Sequence, residues 1–213
     1  MTATTAPRTC PEPGTAGKLP SVTGLVLAGG RGSRMGGVEK GLQAFNGAPM
    51  LAEIVARLRP QVDELAINAN RELDRYRAFG FPVRPDLRTG LPGPMAGIEA
   101  GLAACTTDLL VVVPCDSPCL PPDLVCRLHA AMERRSAALA YAVTDSGQGE
   151  QAHPVFCMLD RSLLPQLRAA LDAGERRLGS WLRSQGAAPA VFSDEAAFRN
   201  INTFEELQGF QRT

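Results

Sequence analysis

Neither sign of charge is in excess in this sequence, because 22 lysines and arginines balance 22 aspartates and glutamates. A protein that binds nucleic acid or an anionic membrane needs a basic surface, so this balance argues against both partners. No apolar run reaches the roughly 18 residues of a membrane span, and the N-terminus lacks the apolar segment of a secretory signal. A small anionic ligand, held by a few local cations, remains compatible with this composition.

Zinc-binding patterns are also missing, because none of the six cysteines lies in a CxxC pair and no cysteine–histidine set has the spacing of metal ligands. Cys105 and Cys157 lie in apolar segments, so we expect the cysteines to be buried free thiols of a protein in the reducing cytoplasm. The two histidines, His129 in an amphipathic segment and His153 before Pro154, favour structural roles over proton transfer.

The length of the chain suits one domain. Residues 1–20, rich in threonine, proline, alanine and glycine, are predicted to be a disordered tail, and residues 21–213 to form the domain. Apolar strands alternate with amphipathic helices, which is typical of a doubly wound α/β fold with a mostly parallel sheet and helices on both faces. The predicted strands are 22–28, 62–68, 108–116, 138–144, 154–159 and 189–192, with a short extended piece at 42–45 before the Asn46-Gly47 turn. The predicted helices follow Pro49, lie around 71–79 and at 94–105, start near Leu124, cover 162–172 and 176–184, and start again at Thr203 with a capping box to Glu206.

A glycine-rich stretch, LAGGRGSRMGGVEKG, follows the first predicted strand at residues 27–41. In open α/β sheets ligands bind at the carboxyl ends of strands, and this stretch begins at such an end. Glycines allow the backbone to approach a ligand closely, so that successive N–H groups point at one anion. Together with Arg31, Arg34 and Lys40, the stretch is predicted to form a phosphate-binding loop.

Two common phosphate-binding patterns do not fit this loop. A Walker A loop needs lysine where Val38 stands, and the dinucleotide pattern GxGxxG needs glycine where Met35 stands. For the loop taken alone, a glycine turn with solvated basic residues therefore remains an alternative.

A carboxylate lies at the end of the most apolar predicted strand, where VVVPCDSP places Asp116. Magnesium prefers one or two carboxylates together with phosphate oxygens, so Asp116 beside a phosphate loop is predicted to bind Mg²⁺. The alternative is a structural role for Asp116 in the turn before the next helix.

The order of several short motifs resembles that of the molybdenum cofactor guanylyltransferases, within the sugar-nucleotide pyrophosphorylase-like superfamily. The motifs are LAGGRGSRMGGVEKGL at 27–42, INANR at 67–71, RPD at 84–86, PGPMAGI at 92–98, PCDSPCLPPDL at 114–124, HP at 153–154, AGERR at 173–177 and NINTFEEL at 200–207. Together they run in order through most of the chain, which makes the match specific although each motif alone is not.

This resemblance implies a Rossmann-like nucleotidyltransferase fold and an activity. The activity is the Mg²⁺-dependent transfer of GMP from GTP to the terminal phosphate of molybdenum–molybdopterin, which releases pyrophosphate and forms the guanine dinucleotide form of the cofactor. Carried over position by position, the resemblance implies that Lys40 binds phosphate and that Asp116 is the metal ligand. Because the transfer needs positive charge at the phosphates, Arg34, Lys40 and Asp116 are the predicted catalytic residues. The resemblance also implies GTP binding by Leu27, Ala28, Gly29, Gly30, Lys40, Asn68, Asp86, Gly93 and Asp116, and acceptor binding by Arg177, Asn200 and Asn202. Molybdoenzyme-maturation proteins are implied as further partners.

Three alternatives stay open at this point. Related cytidylyltransferases typically have LAAG at the start of the loop, and LAGG in this chain favours the guanylyl branch over a cytidylyl transferase. A sugar-1-phosphate nucleotidyltransferase of the same superfamily is a further candidate. A non-catalytic nucleotide- or pterin-binding protein is the third, although a mere binder need not retain Asp116 together with Lys40. A phosphate monoester oxygen is already nucleophilic at neutral pH, so the transfer requires alignment and charge neutralisation rather than a serine or cysteine nucleophile.

Overall fold

The computed structural model describes residues 20–29, 39–90, 93–145 and 149–201. The strands among them are β1 (Val22–Leu27), β2 (Ala44–Phe45), β3 (Ala48–Pro49), β4 (Glu64–Asn68), β5 (Val83–Arg84), β6 (Leu109–Pro114), β7 (Leu139–Asp145), β8 (Glu150–Asp160) and β9 (Ala188–Phe192). The α-helices are α1 (Met50–Leu58), α2 (Leu73–Arg77), α3 (Pro94–Ala104), α4 (Leu124–Arg135), α5 (Leu164–Asp172) and α6 (Leu178–Ser184). Single 3-10 turns lie at Lys40–Leu42, Arg59–Gln61, Arg161–Leu163 and Ala196–Phe198.

The main sheet has seven strands in the order β5-β4-β1-β6-β8-β7-β9. β1 lies inside it and pairs in parallel with β4 and β6, and the β4–β5 and β7–β9 pairs are also parallel. β8 runs antiparallel to both of its neighbours, β6 and β7. The predicted doubly wound, mostly parallel α/β fold is therefore confirmed.

The alternation of side chains along the strands divides the core into two layers. Val111 and Val113 of β6 pack with α1 and α4 on one face of the sheet, whereas Leu110 and Val112 pack with α3, α5 and α6 on the other. All four valine and leucine side chains are buried, as the continuous apolar run of this strand predicts. Both faces of the sheet are thus covered by helices, and its strand ends are left to form a site.

The small hairpin of β2 and β3 also agrees with the sequence. Asn46 and Gly47 both have positive φ angles, 49° and 82°, as a type I′ turn between two antiparallel strands requires. The residues just before β2 differ, because Lys40–Leu42 form a 3-10 turn where the sequence suggests the beginning of an extended piece.

Two predicted elements need larger corrections. β8 is longer than the predicted 154–159, and its register against β7 jumps between Tyr141 and Ala142, so that Pro154, Val155 and Phe156 are not paired with β7. Proline has no N–H to donate to a ladder, which is why an irregularity falls here. The helix predicted at 176–184 begins only at Leu178, and the predicted final helix from Thr203 lies outside the described residues.

The prediction of buried free thiols is met at Cys115 and Cys157, whereas Cys105 and Cys119 are free but only partly buried. Burial raises the pKa of Cys115 to about 12. Cys126 is disulfide-bonded, so the expectation of a thiol is wrong there. Its side chain is only partly buried on α4, which leaves the sulfur open to a second cysteine. Within the described residues, no helix combines the length and the apolarity that a membrane crossing requires.

Candidate active site

Three parallel strands end side by side at one edge of the sheet. Leu27 at the end of β1 lies in register with Asn68 of β4 on one side and with Pro114 of β6 on the other. The backbone continues this alignment by one residue, since the Ala28 N–H donates to the Asn68 carbonyl at 2.7 Å and the Cys115 N–H to the Leu27 carbonyl at 3.0 Å. The predicted nucleotide-binding positions Leu27 and Ala28 therefore lie between two strand ends that carry polar side chains.

Lys40 and Asp116 meet at this edge although 76 residues separate them in the chain. The Lys40 ammonium donates to Asp116 Oδ2 at 3.0 Å, and the two side chains are 21% and 14% exposed. Asp116 is carried by the turn after β6, and its backbone carbonyl accepts from the Ile201 N–H at 2.8 Å. The structure thus brings together the predicted phosphate-binding lysine and the predicted metal ligand.

The second oxygen of Asp116 suits a metal ion. Asp116 Oδ1 is buried, and no hydrogen-bond partner reaches it from the described residues. A buried carboxylate oxygen without a partner is costly, so an additional ligand at this atom would be favourable. No set of three or more acidic, cysteine or histidine side chains is grouped for metal binding in the described part of the chain. A single carboxylate that leaves the remaining positions to phosphate oxygens and water fits Mg²⁺ better than it fits zinc.

A second polar cluster lies at the end of β4. Asn68 donates through Nδ2 to the Arg84 carbonyl and to Asp86 Oδ1, both at 2.9 Å. Asn70 donates to Asp86 Oδ2 at 2.9 Å and accepts from the Asp86 N–H at 2.8 Å. The predicted nucleotide contacts Asn68 and Asp86 are therefore bonded to each other, and Asn70 is a third member that the sequence analysis did not single out.

Two glycines make room for this cluster. A Cβ at Gly29 would lie 2.9 Å from Asn70 Nδ2 and 3.2 Å from Asn68 Oδ1. A Cβ at Gly97 on α3 would lie 2.8 Å from both Asn68 Cγ and Leu27 Cδ2, closer than carbon atoms approach without a shift. The second glycine of PGPMAGI, Gly97, is thus explained by the close passage of α3 over the ends of β1 and β4.

The loop after Asp86 is tied to the helices behind it. Arg88 donates through Nε to Glu99 Oε2 at 2.8 Å and also pairs with Asp172 of α5. Arg168 donates to the other Glu99 oxygen at 3.1 Å. The Glu99 carboxylate is almost fully buried on α3 and has both oxygens bonded. Sequence reasoning missed this network, because the charges are scattered through the chain and no local spacing connects them.

A further polar cluster supports the turn that carries Lys40. Glu39 is buried, and its carboxylate accepts from the Tyr76 hydroxyl at 3.1 Å and forms an ion pair with the Arg71 guanidinium at 2.8 Å. Burial is the main reason why the pKa of Tyr76 lies well above its usual range, and the nearby Cys115 and Glu39 act in the same direction. These residues too were missed, although Glu39 directly precedes Lys40 in the quoted loop.

A groove of about 830 Å³ reaches Pro114, the last residue of β6 and two residues before Asp116. One wall is the irregular part of β8, including Pro154, and the other is the segment before Ile201, including Phe198 and Asn200. His153 stacks on Phe198 with ring centroids 4.8 Å apart, and its Nε2 lies 2.9 Å from Thr144 Oγ1. Burial lowers the pKa of His153, which keeps the ring neutral near pH 7. This agrees with a structural role for the histidine.

The predicted acceptor residues are only partly assembled by the described residues. Asn200 lines the groove, and its Oδ1 accepts from the hydroxyl of Ser117 at 2.6 Å. Ser117 directly follows Asp116 in the chain. Arg177 is exposed at the N-cap of α6 and is not part of the groove lining. The predicted site residues Gly30, Arg34 and Asn202 lie outside the described residues, so their roles stay predictions.

Two neighbours of Arg177 in the sequence, Arg176 and Gly179, nevertheless lie close to predicted site or groove residues. A Cβ at Gly93, the predicted GTP-binding residue at the N-cap of α3, would lie 3.5 Å from the Arg176 carbonyl. A Cβ at Gly179 on α6 would lie 3.3 Å from Pro154, which lines the groove. The start of α6 therefore lies between the α3 N-terminus and the groove.

Comparison with known proteins connects this site to one family. Residues 24–189 match the family model described as the MobA-like NTP transferase domain. A protein of Cupriavidus taiwanensis named molybdenum cofactor guanylyltransferase is 50% identical over 191 residues, which cover 89% of this chain and 96% of that protein. A protein of Burkholderia ambifaria with the same name is 44% identical over 198 residues, covering 91% and 97% of the two chains.

Solved structures show that the fold is shared more widely. The molybdopterin-guanine dinucleotide biosynthesis protein A of Archaeoglobus fulgidus superposes with a TM-score of 0.67 at 21% identity, covering 89% of this chain and 97% of that one. The 2-C-methyl-D-erythritol 4-phosphate cytidylyltransferase of Thermus thermophilus superposes with a TM-score of 0.64 at 16% identity, covering 88% and 96%. At such identities the likeness concerns the fold alone, and the fold does not distinguish guanylyl from cytidylyl transfer.

Proposed function

Because this chain belongs to the MobA-like NTP transferase family, we propose that it transfers GMP from GTP to the terminal phosphate of molybdenum–molybdopterin. Pyrophosphate leaves, and the guanine dinucleotide form of the cofactor is the product. Names of relatives about 50% identical over nearly the whole chain support this substrate pair. We further propose that the reaction takes place in the cytoplasm and that molybdoenzyme-maturation proteins receive the product.

The observation that carries this proposal is the Lys40–Asp116 pair at the end of β1 and β6. An acceptor phosphate oxygen attacks the α-phosphorus of GTP, and the bond from that phosphorus to the bridging oxygen of pyrophosphate breaks. Since the acceptor oxygen is already an anion, no protein nucleophile is needed. The Lys40 ammonium neutralises charge on the phosphates as it shifts toward the leaving group. We propose that Arg34, which the sequence predicts beside it, contributes in the same way.

Mg²⁺ is part of the same proposal. Asp116 would hold it, because Oδ1 is buried and lacks a partner among the described residues while Oδ2 accepts from Lys40. When bound, the metal ion would supply positive charge at the triphosphate and at the leaving pyrophosphate. Asp116 then has two tasks, since one oxygen orients Lys40 and the other is available to the cation.

The two remaining polar areas divide between the two substrates in this proposal. The Asn68–Asp86 cluster at the end of β4 would bind the nucleoside of GTP, with Gly29 and Gly93 allowing close approach of the backbone. The groove would bind the acceptor, because its volume of about 830 Å³ suits a ligand of this size and its β8 wall lies on the other side of β6 from β4. Asn200 lies at the boundary between Asp116 and this groove.

A pyrophosphate-release assay tests the activity. Purified protein is mixed with GTP, Mg²⁺ and molybdenum–molybdopterin, and each component is omitted in turn. Pyrophosphate should appear only in the complete mixture, and Asp116→Asn should lower the rate at least ~10³-fold, since the metal that neutralises developing charge is lost. Binding of GTP and of molybdopterin without any pyrophosphate would instead identify a non-catalytic binding protein.

Isothermal titration tests the proposed acceptor residues. Asn202→Ala, Arg177→Ala and Asn200→Ala should each weaken molybdopterin binding while GTP binding stays near the wild-type value. Arg183→Ala, which removes an exposed cation at the other end of α6, is the matched control for Arg177. Variants that lose GTP binding instead, or lose neither ligand, would remove these residues from the acceptor site.

A further inference from the structure

Adjacent residues of opposite charge point to opposite sides at the end of the glycine-rich loop. Lys40 reaches Asp116 at the edge of the sheet, whereas Glu39 is buried and only 8% exposed. One oxygen of the Glu39 carboxylate accepts a hydrogen bond from the hydroxyl of Tyr76, and the other forms an ion pair with the guanidinium of Arg71. Tyr76 itself is fully buried on α2. Glu39 is therefore anchored in the protein interior one residue before the lysine.

An anchored carboxylate of this kind restricts the backbone. An ionised carboxylate is costly to bury unless it is paired and hydrogen-bonded, so moving Glu39 away from both partners would be unfavourable. Its backbone carbonyl accepts from the Leu42 N–H and from Gln43 Nε2, both at 3.2 Å, which ties the anchor to the 3-10 turn of Lys40–Leu42. A fixed backbone at Glu39 thus fixes the point from which the Lys40 side chain starts.

The residue after the lysine is held as well. A Cβ at Gly41 would lie 3.3 Å from Cys115 Cβ and 3.5 Å from the Tyr76 hydroxyl, so the chain passes tightly between these two side chains. Cys115 directly precedes Asp116. The same tyrosine therefore contacts the turn on both sides of Lys40, and the turn abuts the strand end that carries the partner of Lys40.

Arg71 connects this anchor to the other half of the site. It follows Asn70, which is bonded to Asp86 in the cluster at the end of β4. The segment INANR thus has two directions of contact: its asparagines face Asp86, and its arginine pairs with Glu39. The two clusters are therefore joined by the backbone of two adjacent residues, Asn70 and Arg71.

We propose that Glu39 is a positioning residue for Lys40: held by Tyr76 and Arg71, it keeps the Lys40 ammonium at the place where the triphosphate of the nucleotide is bound. This inference rests on the proposed function, because it takes the phosphates of GTP to be the ligand of Lys40. Glu39 touches neither substrate in it, and it acts only through the backbone of the turn.

A double-mutant cycle distinguishes positioning from a merely structural role. Glu39→Gln keeps the shape of the side chain and removes its charge, and it should lower kcat for pyrophosphate release roughly 10- to 100-fold, the effect of misplacing a catalytic group by about 1 Å. In a Lys40→Ala background the same substitution should have no further effect, because the group that Glu39 positions is already gone. Equal losses in both backgrounds would overturn the proposal, as would a Glu39→Gln variant with wild-type kcat.

Two controls separate this effect from general destabilisation. Glu53→Gln breaks an exposed ion pair with Arg57 on α1 and should leave kcat unchanged. Tyr76→Phe, which removes only the hydroxyl on Glu39, should reproduce the kcat loss of Glu39→Gln, whereas Tyr141→Phe at the chain's other tyrosine should not. A lower melting temperature with unchanged kcat in Tyr76→Phe would count against positioning.

The scarcity of lysine gives a measurement that needs no turnover. Lys18 and Lys40 are the chain's two lysines, so acylation by an amine-selective reagent can be followed at Lys40 by peptide mass spectrometry with Lys18 as the internal reference. Glu39→Gln should acylate faster at Lys40 than the wild type, and GTP with Mg²⁺ should protect Lys40 less in the variant. Equal rates and equal protection would overturn the proposal. If the wild type releases no pyrophosphate, the proposed activity fails, yet the change in acylation rate still reports whether Glu39 fixes the lysine.

Discussion

Lys40 places a positive charge at the edge of the sheet. Its ammonium is held by Asp116 at the sheet edge, where a phosphate would find a fixed positive charge. Lys40→Ala should lower kcat for pyrophosphate release by about 10²- to 10³-fold, the scale for one preorganised charge-stabilising group. Lys40→Arg is the matched variant, and its bulkier guanidinium should restore only part of the rate. A loss of melting temperature with turnover within threefold of wild type would make Lys40 a structural residue.

His153 gives the protein a dependence of stability on pH. Burial holds its pKa in the folded state below the ordinary value of 6.5. At a pH between the lowered pKa of the folded state and the ordinary pKa of the unfolded state, the unfolded chain binds a proton that the folded chain does not. The free energy of unfolding should therefore fall as the pH drops below about 6.5. Above that pH the penalty vanishes, because the histidine is neutral in both states.

Chemical denaturation at several pH values checks this sign. The difference in unfolding free energy between pH 8 and pH 5.5 should be smaller in His153→Gln than in the wild type, because the variant has no imidazole to protonate at this position. Turnover at pH 8 should be retained, since the neutral ring serves the wall of the groove and not proton transfer. An identical pH dependence in both proteins would show that other groups cause it.

At the scale of elements, α3 packs closely against the site at Gly97 and against the core at Gly101. A Cβ at Gly97 would collide with Asn68, whose amide is fixed by Arg84 and Asp86. A Cβ at Gly101, one turn later, would meet the end of the Leu25 side chain at 2.5 Å, which is part of the core and not of the site. The same substitution at two positions of one helix therefore separates packing from ligand binding.

Gly97→Ala should weaken GTP binding at least ~10-fold, because the fixed Asn68 must shift and misplaced polar partners are costly. Gly101→Ala should lower the free energy of unfolding by about 1–3 kcal/mol through overpacking, and thereby lower the melting temperature. It should leave GTP affinity near wild type. Calorimetric titration with GTP and thermal unfolding of both variants provide the comparison. If the two variants lose GTP affinity equally, the close approach of α3 to Asn68 has no particular role in binding.

The elements themselves were largely predictable, because burial on one or two faces leaves a periodic pattern in the sequence. β6 shows this most clearly, since its unbroken apolar run predicts a strand covered on both faces. β8 was predicted too short because its register irregularity at Pro154 depends on pairing with β7, and pairing has no local pattern. The start of α6 was placed too early for a similar reason, since Glu175 bonds the N–H groups of Arg176 and Arg177 before the helix begins.

At the scale of the whole molecule, the site predictions divide by the kind of signal they used. Lys40 and Asp116 could be predicted because each follows an apolar strand, and strand ends in a parallel sheet meet at one edge. Glu39, Tyr76 and Arg71 could not, because an ion pair between distant segments leaves no spacing in the sequence. Long-range polar pairs are thus the part of this molecule that required its three-dimensional structure.

The fold does not distinguish guanylyl from cytidylyl transfer, so base selectivity depends on the groups that meet the base. The Asn68–Asp86 cluster supplies amide and carboxylate groups there, and a site built to pair with polar edges rejects a base that leaves them unpaired. GTP with Mg²⁺ at 100 times its Kd should therefore raise the melting temperature by about 5–10 °C, whereas CTP and ATP at the same concentration should raise it far less.

The selectivity can be assigned to the cluster with one further variant. Asp86→Asn keeps the size of the side chain and removes the carboxylate that accepts from Asn68 and Asn70. It should reduce the thermal shift with GTP and narrow the difference between GTP and CTP, while Asp74→Asn, an exposed acid on α2, should change neither. Equal thermal shifts with GTP and CTP in the wild type would instead contradict selectivity for guanine and favour the cytidylyl alternative, because stabilisation by a ligand that binds the native state increases with the logarithm of its affinity.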